Sequence, residues 1–301
     1  MIDTSDTRPY VASDLEWVIS SPLLTKTRPE FDLASLPETA ALLTSVRDNP
    51  APLIEFLTGM KRYNLGTYFE YLVFYWLSNI SPVSVLATNL QIRDETKTHG
   101  ELDLLFSYAG EVNHWELAIK FYANTATSGL EENWVGPLKK DNLKRKLDRL
   151  FDHQLPLCTT EVAKKTLSLS NIKSEPIKSS PFVKGVLFEK TKTTEAKTLL
   201  PGRIAEDCEI QFWCTISDLQ ANLTDNINRY CILPKMRWMS RLRDIDWRVF
   251  GCPNAHQALT EILLDANRPQ YVAFGKFDGD DVVEQRRIFI MPDNWESLPT
   301  L

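Results

Sequence analysis

No apolar run in this 301-residue sequence is long enough to cross a membrane. The longest, Tyr71 to Leu77, falls far short of the roughly 18 residues that a helical span needs. The opening segment MIDTSDTRPY is acidic and polar and lacks the apolar stretch of a secretory signal. Cysteine is scarce and scattered. Cys158, Cys208, Cys214, Cys231 and Cys252 form no C-x-x-C pair, and His99, His114, His153 and His256 do not cluster with them. That spacing argues against a zinc site or a disulfide framework and predicts idle thiols in a reducing cytoplasm. Familiar catalytic signatures are missing too: there is no G-x-S-x-G, no phosphate-binding loop, no G-x-G-x-x-G and no H-E-x-x-H. Positive charge is also short overall. Against 40 Asp and Glu stand 34 Lys and Arg, a net −6, so the chain does not coat nucleic acid by bulk charge.

What is present suffices for a folded protein. Hydrophobic residues make up 43% and charged residues 25% of the chain, enough to build a core. The length suits about two domains of roughly 150 residues each, or one large α/β domain with insertions. Charge is unevenly distributed. Residues 139–203 carry 15 Lys and Arg against 7 Asp and Glu, a net +8, whereas the rest of the chain carries −14. A basic stretch inside an acidic protein suggests an anionic partner for that stretch; a solvated basic face beside acidic neighbours is the plainer alternative.

The hydrophobic pattern predicts an order of elements. Short helices occupy residues 1–60: one beginning at Asp14, one over Leu36–Arg47 and one over Pro52–Met60. Residues 61–78 form a stronger helix, with Leu65, Phe69, Leu72, Val73, Trp76 and Leu77 on one stripe. Strands follow over Val83–Arg93, Leu102–Tyr108 and His114–Tyr122, making a three-strand meander. Residues 123–136 show no clear element. Pro137 is expected to open a helix reaching Leu155, with Leu143, Leu147 and Leu150 buried. A polar stretch (159–181), a strand Phe182–Glu189, a polar loop (190–206) and a strand Glu209–Ile216 come next. Residues 218–266 read as mostly helical, and Tyr271–Phe277 with Gln285–Met291 flank a hairpin turn at Asp278-Gly-Asp-Asp. The division that results is a helical extension (1–60), a core (61–190) and an α+β C-terminal region (191–301).

The meander carries the informative residues. Strand side chains alternate with period two, so Glu101 and Asp103 share one face of their strand. Glu116, Ala118, Lys120 and Tyr122 share a face of the next strand, opposite the apolar Leu117, Ile119 and Phe121. Charges within apolar strands are costly unless paired or bound to a metal. Carboxylates are natural ligands for Mg²⁺ or Mn²⁺, and a neighbouring ammonium can orient water or steady developing charge on phosphorus. Glu70, at the edge of the apolar stripe of the preceding helix, is a third candidate acid, with Gly66 one turn earlier. On the basic helix, Lys146, Arg149 and His153 lie on one side beside Lys144 and Arg145, suited to contact phosphates. Gln154 falls among leucines on the opposite side and needs a partner. A buried ion pair of Lys120 with an acid is the structural alternative. Trp238 and Trp247 interleave with Lys235, Arg237, Arg241, Arg243 and Arg248; that pattern suits either single-strand binding or an ordinary buried face.

At these residues the sequence resembles a known superfamily. Gly100-Glu101-Leu102-Asp103-Leu104-Leu105, His114-Trp115-Glu116-Leu117-Ala118-Ile119-Lys120 and Gly66-x-x-x-Glu70 are similar to the strand, lysine-ending strand and first helix of the PD-(D/E)XK, or restriction-endonuclease-like, phosphodiesterases. Asp14-Leu-Glu-Trp and Gly136-Pro extend the likeness to an uncharacterised bacterial family placed in that superfamily. The superfamily pattern puts its second acid two residues before the lysine, where this chain has Ala118. Glu116 stands two residues further back on the same face, displaced by about 6–7 Å at a strand rise of about 3.3 Å. The resemblance implies an α/β restriction-endonuclease-like core (helix, three-strand meander, helix, strand) with added N- and C-terminal segments. It implies a cytoplasmic, Mg²⁺- or Mn²⁺-dependent nuclease acting on DNA or RNA. Asp103, Glu116 and Glu70 would be its metal ligands and Lys120 its catalytic lysine. Lys144, Arg145, Lys146, Arg149 and Gln154 would bind the strand or support the site. A module that kept the fold and only binds nucleic acid or a protein is the alternative.

Overall fold

A computed structural model describes residues 10–126, 128–172, 176–191, 199–219, 229–243, 246–247 and 267–300. The helices are α1 (Val11–Ser20), α2 (Pro37–Asp48), α3 (Ala51–Leu57), α4 (Leu65–Ser78), α5 (Leu143–Arg149) and α6 (Glu161–Leu169). The strands are β1 (Val83–Arg93), β2 (Thr98–Tyr108), β3 (Glu111–Asn124), β4 (Trp134–Val135), β5 (Ile177–Lys190), β6 (Glu209–Thr215), β7 (Arg229–Ile232), β8 (Gln270–Asp278) and β9 (Asp281–Met291). Strand pairing follows the order β1-β2-β3-β5-β6-β9-β8-β7, with β4 on β3, a mixed α/β topology. Among the described residues no helix is long and apolar enough to cross a membrane.

The chain divides into two compact units. The first comprises residues through Ile119, Arg145–Lys184 and Arg203–Asp207. At its centre is α4, opened by Asn64, whose side chain accepts a hydrogen bond from the Thr67 N–H. Nine α4 side chains are buried, including every member of the expected stripe, and each full burial contributes about 1.5–3 kcal/mol. Tyr68 of α4 donates to buried Asp14 of α1 at 3.0 Å. The meander pairs antiparallel: β1 on β2 from Val83↔Tyr108 to Arg93↔Thr98, and β2 on β3 from Tyr108↔Glu111 to Leu104↔Trp115. Gly100 lies where β2 meets the turn after α5, and a Cβ there would stand 2.7 Å from the end of the Leu157 side chain, which would have to shift. At Gly66 the nearest atom to such a Cβ is Oδ1 of its own neighbour Asn64, so no other segment approaches closely.

The polar stretch 159–181 is not simply a loop. It holds α6, capped by Thr160, with Ala163 and Leu167 packed beside Ile92, Leu102, Leu105 and Leu157. Val162 joins them, and three apolar side chains among Lys, Ser and Thr leave the helical period weakly marked. The helix expected from Pro137 starts later, at Leu143. It then widens into a π turn at Leu150–Gln154 and tightens into a 3-10 turn at Leu155–Thr159.

The second unit comprises Lys120–Lys144, Gly185–Gly202 and the chain from Cys208 onward. Within it β5 pairs parallel with β6, β6 parallel with β9, and β8 antiparallel with both β7 and β9. The hairpin closes at Asp278↔Asp281 with Gly279 at φ +63°, as its sequence predicts. Gly185 admits no side chain, since a Cβ would fall 1.8 Å from the Lys120 carbonyl oxygen. Residues 136–142 are held out of helix. Lys139, at φ +53°, donates to the carbonyls of Glu296 and Leu298, and the Pro137 carbonyl accepts from Trp295 Nε1 at 2.7 Å. The helical reading of 218–266 fails at β7, where Tyr230 and Cys231 pack in the sheet; residues 220–228, 244–245 and 248–266, with Arg248, Cys252 and His256, lie outside the described residues.

Candidate functional site

The first unit gathers the acids where β2 and β3 part. Their ladder ends at Leu104↔Trp115, and the next facing pair would be Asp103 and Glu116. There the Asp103 carboxylate takes over from the backbone and accepts the Leu117 N–H at 2.8 Å. Glu116 is 1% exposed and both its oxygens are engaged: Oε1 with His114 Nε2 at 3.1 Å, and Oε2 with Gln154 Nε2 at 2.5 Å. Lys146 of α5 donates to Gln154 Oε1 at 3.2 Å, so the turn following α5 ties a cation to the acid through an amide. Gln154 thus has the partner its apolar position demanded, and the π turn is what aims it there.

Electrostatics link these residues with α4. Burial, followed by the charges of Asp103, Glu101 and Glu116, raises the Glu70 carboxyl to about 7. Burial and then Glu116 raise Asp103 to about 7, against the opposing pull of the Leu117 N–H and His114. Burial raises Glu116 to about 7 as well, with Lys146 the largest influence in the other direction. Asp103 and Glu116 thus disfavour charge on Glu70, and Glu116 disfavours it on Asp103, whereas Asp103 steadies the Glu116 carboxylate by hydrogen bonding. Among the described residues no group of three or more histidine, cysteine, aspartate or glutamate side chains is arranged to hold a metal ion.

Other candidates go elsewhere. Lys120 belongs to the second unit, where its ammonium stands 3.8 Å from Asp141, which also accepts the Tyr122 hydroxyl at 2.9 Å. Arg145 and Arg149 are exposed in the first unit, and Lys144 is exposed in the second. The Trp238 and Trp247 pattern is divided in the second unit. Trp247 and Arg237 are buried at 3% and 2% exposure, whereas Trp238 is half-buried and packs on Phe121, Tyr271 and Phe289. One group escaped the sequence reading. Ser179 of β5 lies 2.9 Å from His114 Nδ1 and 2.9 Å from the Cys158 sulfur, completing a chain Cys158–Ser179–His114–Glu116. Ser179 sits 65 residues from His114 in an otherwise polar segment, so only tertiary pairing could reveal it.

Comparison with known families places the chain. A family model matches residues 13–291. The chain belongs to the DUF1853 family. That family is described as a domain of unknown function, so the match defines kinship over nearly the whole of this DUF1853 chain and assigns no activity. No curated protein and no solved structure matches it.

Proposed function

We propose that this DUF1853 protein is a metal-dependent phosphodiesterase acting on nucleic acid through the acids of α4, β2 and β3. The observation that carries the reading is the grouping of Glu70, Asp103 and Glu116 in a largely buried place where each raises or meets a raised carboxyl pKa. Buried like charges need a counter-cation or protons. Carboxylate oxygens suit hard ions such as Mg²⁺ or Mn²⁺, so the donor chemistry fits. Such an ion would supply charge for a phosphodiester oxygen and a more acidic water. Asp103 and Glu116 would hold it, with Glu70 completing the set. Gln154 fixes the Glu116 carboxylate, and Lys146 holds Gln154. Exposed Arg145 and Arg149 offer phosphate contacts. Lys120, on the Glu116 face of β3, takes the lysine role that the superfamily resemblance gives it. The order α4, meander, α5, β5 agrees with a restriction-endonuclease-like core.

A second reading, a fold retained for binding without cleavage, has its own support in the Lys120–Asp141 pair and in the lack, among the described residues, of three side chains arranged to hold an ion. One experiment distinguishes the two. DNA and RNA substrates, single- and double-stranded, are incubated with Mg²⁺ or Mn²⁺ and wild type, Asp103→Ala or Lys120→Ala. Cleavage by wild type alone is expected. Salt-sensitive binding without cleavage under either ion supports the binding module, and equal cleavage by all three proteins overturns the assignment of the site.

A further inference from the structure

A second place in the first unit has the makings of a ligand site, on the far side of β3 from the acids. Trp115 and Glu116 are consecutive in β3 and so face opposite ways. On the Trp115 side lies a cleft of about 740 Å³, within the range of small-molecule pockets. Aromatic rings back it: Trp115 stacks on Phe182 at 4.8 Å between ring centres with 2° between planes, Trp76 adjoins both, and all three are only 1–4% exposed. Phe31 adds a ring to its wall. The wall is firmly tied. Leu24 N–H donates to the Val183 carbonyl at 2.8 Å, Ala205 N–H to Leu24 at 3.0 Å, and Thr25 bridges Ile204.

The polar groups of this cleft are unusual. Lys184 is 2% exposed, and its ammonium reaches the carbonyl oxygens of Ile19 and Ser21 at the end of α1. Among the described residues it forms no ion pair with a carboxylate, although a buried ammonium ordinarily has one. The nearby charges are Arg28, which disfavours its protonation, and Asp32, which favours it; Asp32 also caps Ser35. Arg28 stands on the same cleft, about half exposed and paired with Asp207. Ser21 Oγ lines the cleft and is buried with no hydrogen-bond partner among the described residues. Capping α1 explains the Lys184 carbonyl contacts. It does not explain a cleft of this size beside an ammonium without a counter-ion and an idle hydroxyl.

We infer that this cleft binds a small ligand with a flat aromatic body and one anionic group, the anion meeting Lys184, Arg28 and Ser21 and the ring lying in the cleft beside Phe31. The shared chemistry covers aryl carboxylates and nucleoside monophosphates. The inference does not depend on the proposed nuclease site, and its test separates the two.

Binding is measured calorimetrically and by tryptophan fluorescence, with EDTA present, for adenosine monophosphate, benzoate, adenosine and inorganic phosphate at up to millimolar concentration. At least one of the two aromatic anions is expected to bind, and to bind more tightly than adenosine or phosphate. Which of them does so identifies the source. Lys184→Met is expected to weaken that binding at least about tenfold, the loss of one charge-assisted contact. Should Lys184→Met fail to fold, the exposed Arg28→Ala supplies the same comparison with a smaller expected loss. Asp103→Asn is expected to bind as wild type does. Failure of both aromatic anions to bind overturns the inference. So does binding that survives both cleft substitutions, or binding abolished by Asp103→Asn, which would locate the ligand at the acids.

Discussion

Each compact unit buries charge, and they do it in opposite ways. In the second unit Arg287 and Glu284 are both 5% exposed, and two guanidinium nitrogens meet the carboxylate, one at 2.8 Å and one at 3.0 Å. The guanidinium also reaches the carbonyls of Arg237, Trp238, Met239 and Ser240, while Leu242 N–H donates to Glu284. Despite burial, the net effect is to raise the Arg287 pKa, because Glu284 and Tyr271 face it. Arg237 and Asp246 form a second buried pair at 3.6 Å. Each of these buried guanidiniums is matched by a carboxylate, as expected of a structural element, and buried Lys139 is held by the carbonyls of Glu296 and Leu298. In the first unit Glu70, Asp103 and Glu116 are all raised to about 7, and Lys146 is the ammonium acting on two of them. Of the three only Glu116 is fully buried, and carboxyls with raised pKa values crowded together are a common mark of a candidate site.

The sharpest way to break that contrast is to remove one partner on each side. Arg287→Met leaves Glu284 buried and alone, with an expected loss of about 3–5 kcal/mol in denaturant unfolding. Asp103→Asn still offers an oxygen to the Leu117 N–H but removes one of the crowded charges. Without metal at pH 8 it should be as stable as wild type or melt higher, each kcal/mol gained appearing as about 2–4 °C. If Asp103→Asn destabilises as much as Arg287→Met, the acids are structural and the contrast fails.

Acidity sharpens the comparison next. Carboxyls with ordinary values of 3.8 and 4.5 are raised to about 7 in the folded chain. Between those limits the folded protein holds more protons than the unfolded one. Stability from this cluster is therefore complete below about pH 4 and is lost as pH rises through 7. Lys184, lowered to about 7, acts in the opposite sense above that value. Metal-free protein should thus lose melting temperature between pH 5 and 7.5, and Mn²⁺ should restore more of it at pH 7.5 than at pH 5. An equal Mn²⁺ shift at both values would separate ion binding from these acids. A smaller effect is expected at Gln154: Gln154→Leu removes a hydrogen bond to a charged group, about 1.5–3 kcal/mol at most, and should weaken Mn²⁺ binding without abolishing it.

How much of this was legible in sequence depended on the range of the forces involved. The α4 stripe, the meander and the β8–β9 hairpin follow from local periodicity and turn chemistry, and each appears with its expected residues buried or paired. Asp103 and Glu116 were visible as charges in apolar strands, and Gln154 as an amide among leucines. Segment 136–142 was not legible, because it is held by Glu296, Leu298 and Trp295, more than 150 residues away. The packing of Trp238 was hidden for the same reason: its neighbouring arginines suggest a surface, whereas its half-buried ring also packs on Phe121, Tyr271 and Phe289 from distant strands.

The smallest stability effect tests the function most directly. Lys120 is 30% exposed at its side chain, Asp141 is 40% exposed, and their charged atoms are 3.8 Å apart. A partly exposed pair of that length contributes about 0–1 kcal/mol, since water screens the attraction and two flexible side chains lose freedom. Lys120→Met should therefore unfold within about 1 kcal/mol of wild type. With the fold intact, its effect on nucleic-acid cleavage reads the chemistry of the lysine alone. Loss of cleavage at unchanged stability makes Lys120 the counterpart of the acids despite its ion pair. Undiminished cleavage, or cleavage lost only in proportion to a fall in stability, confines Lys120 to its pairing with Asp141.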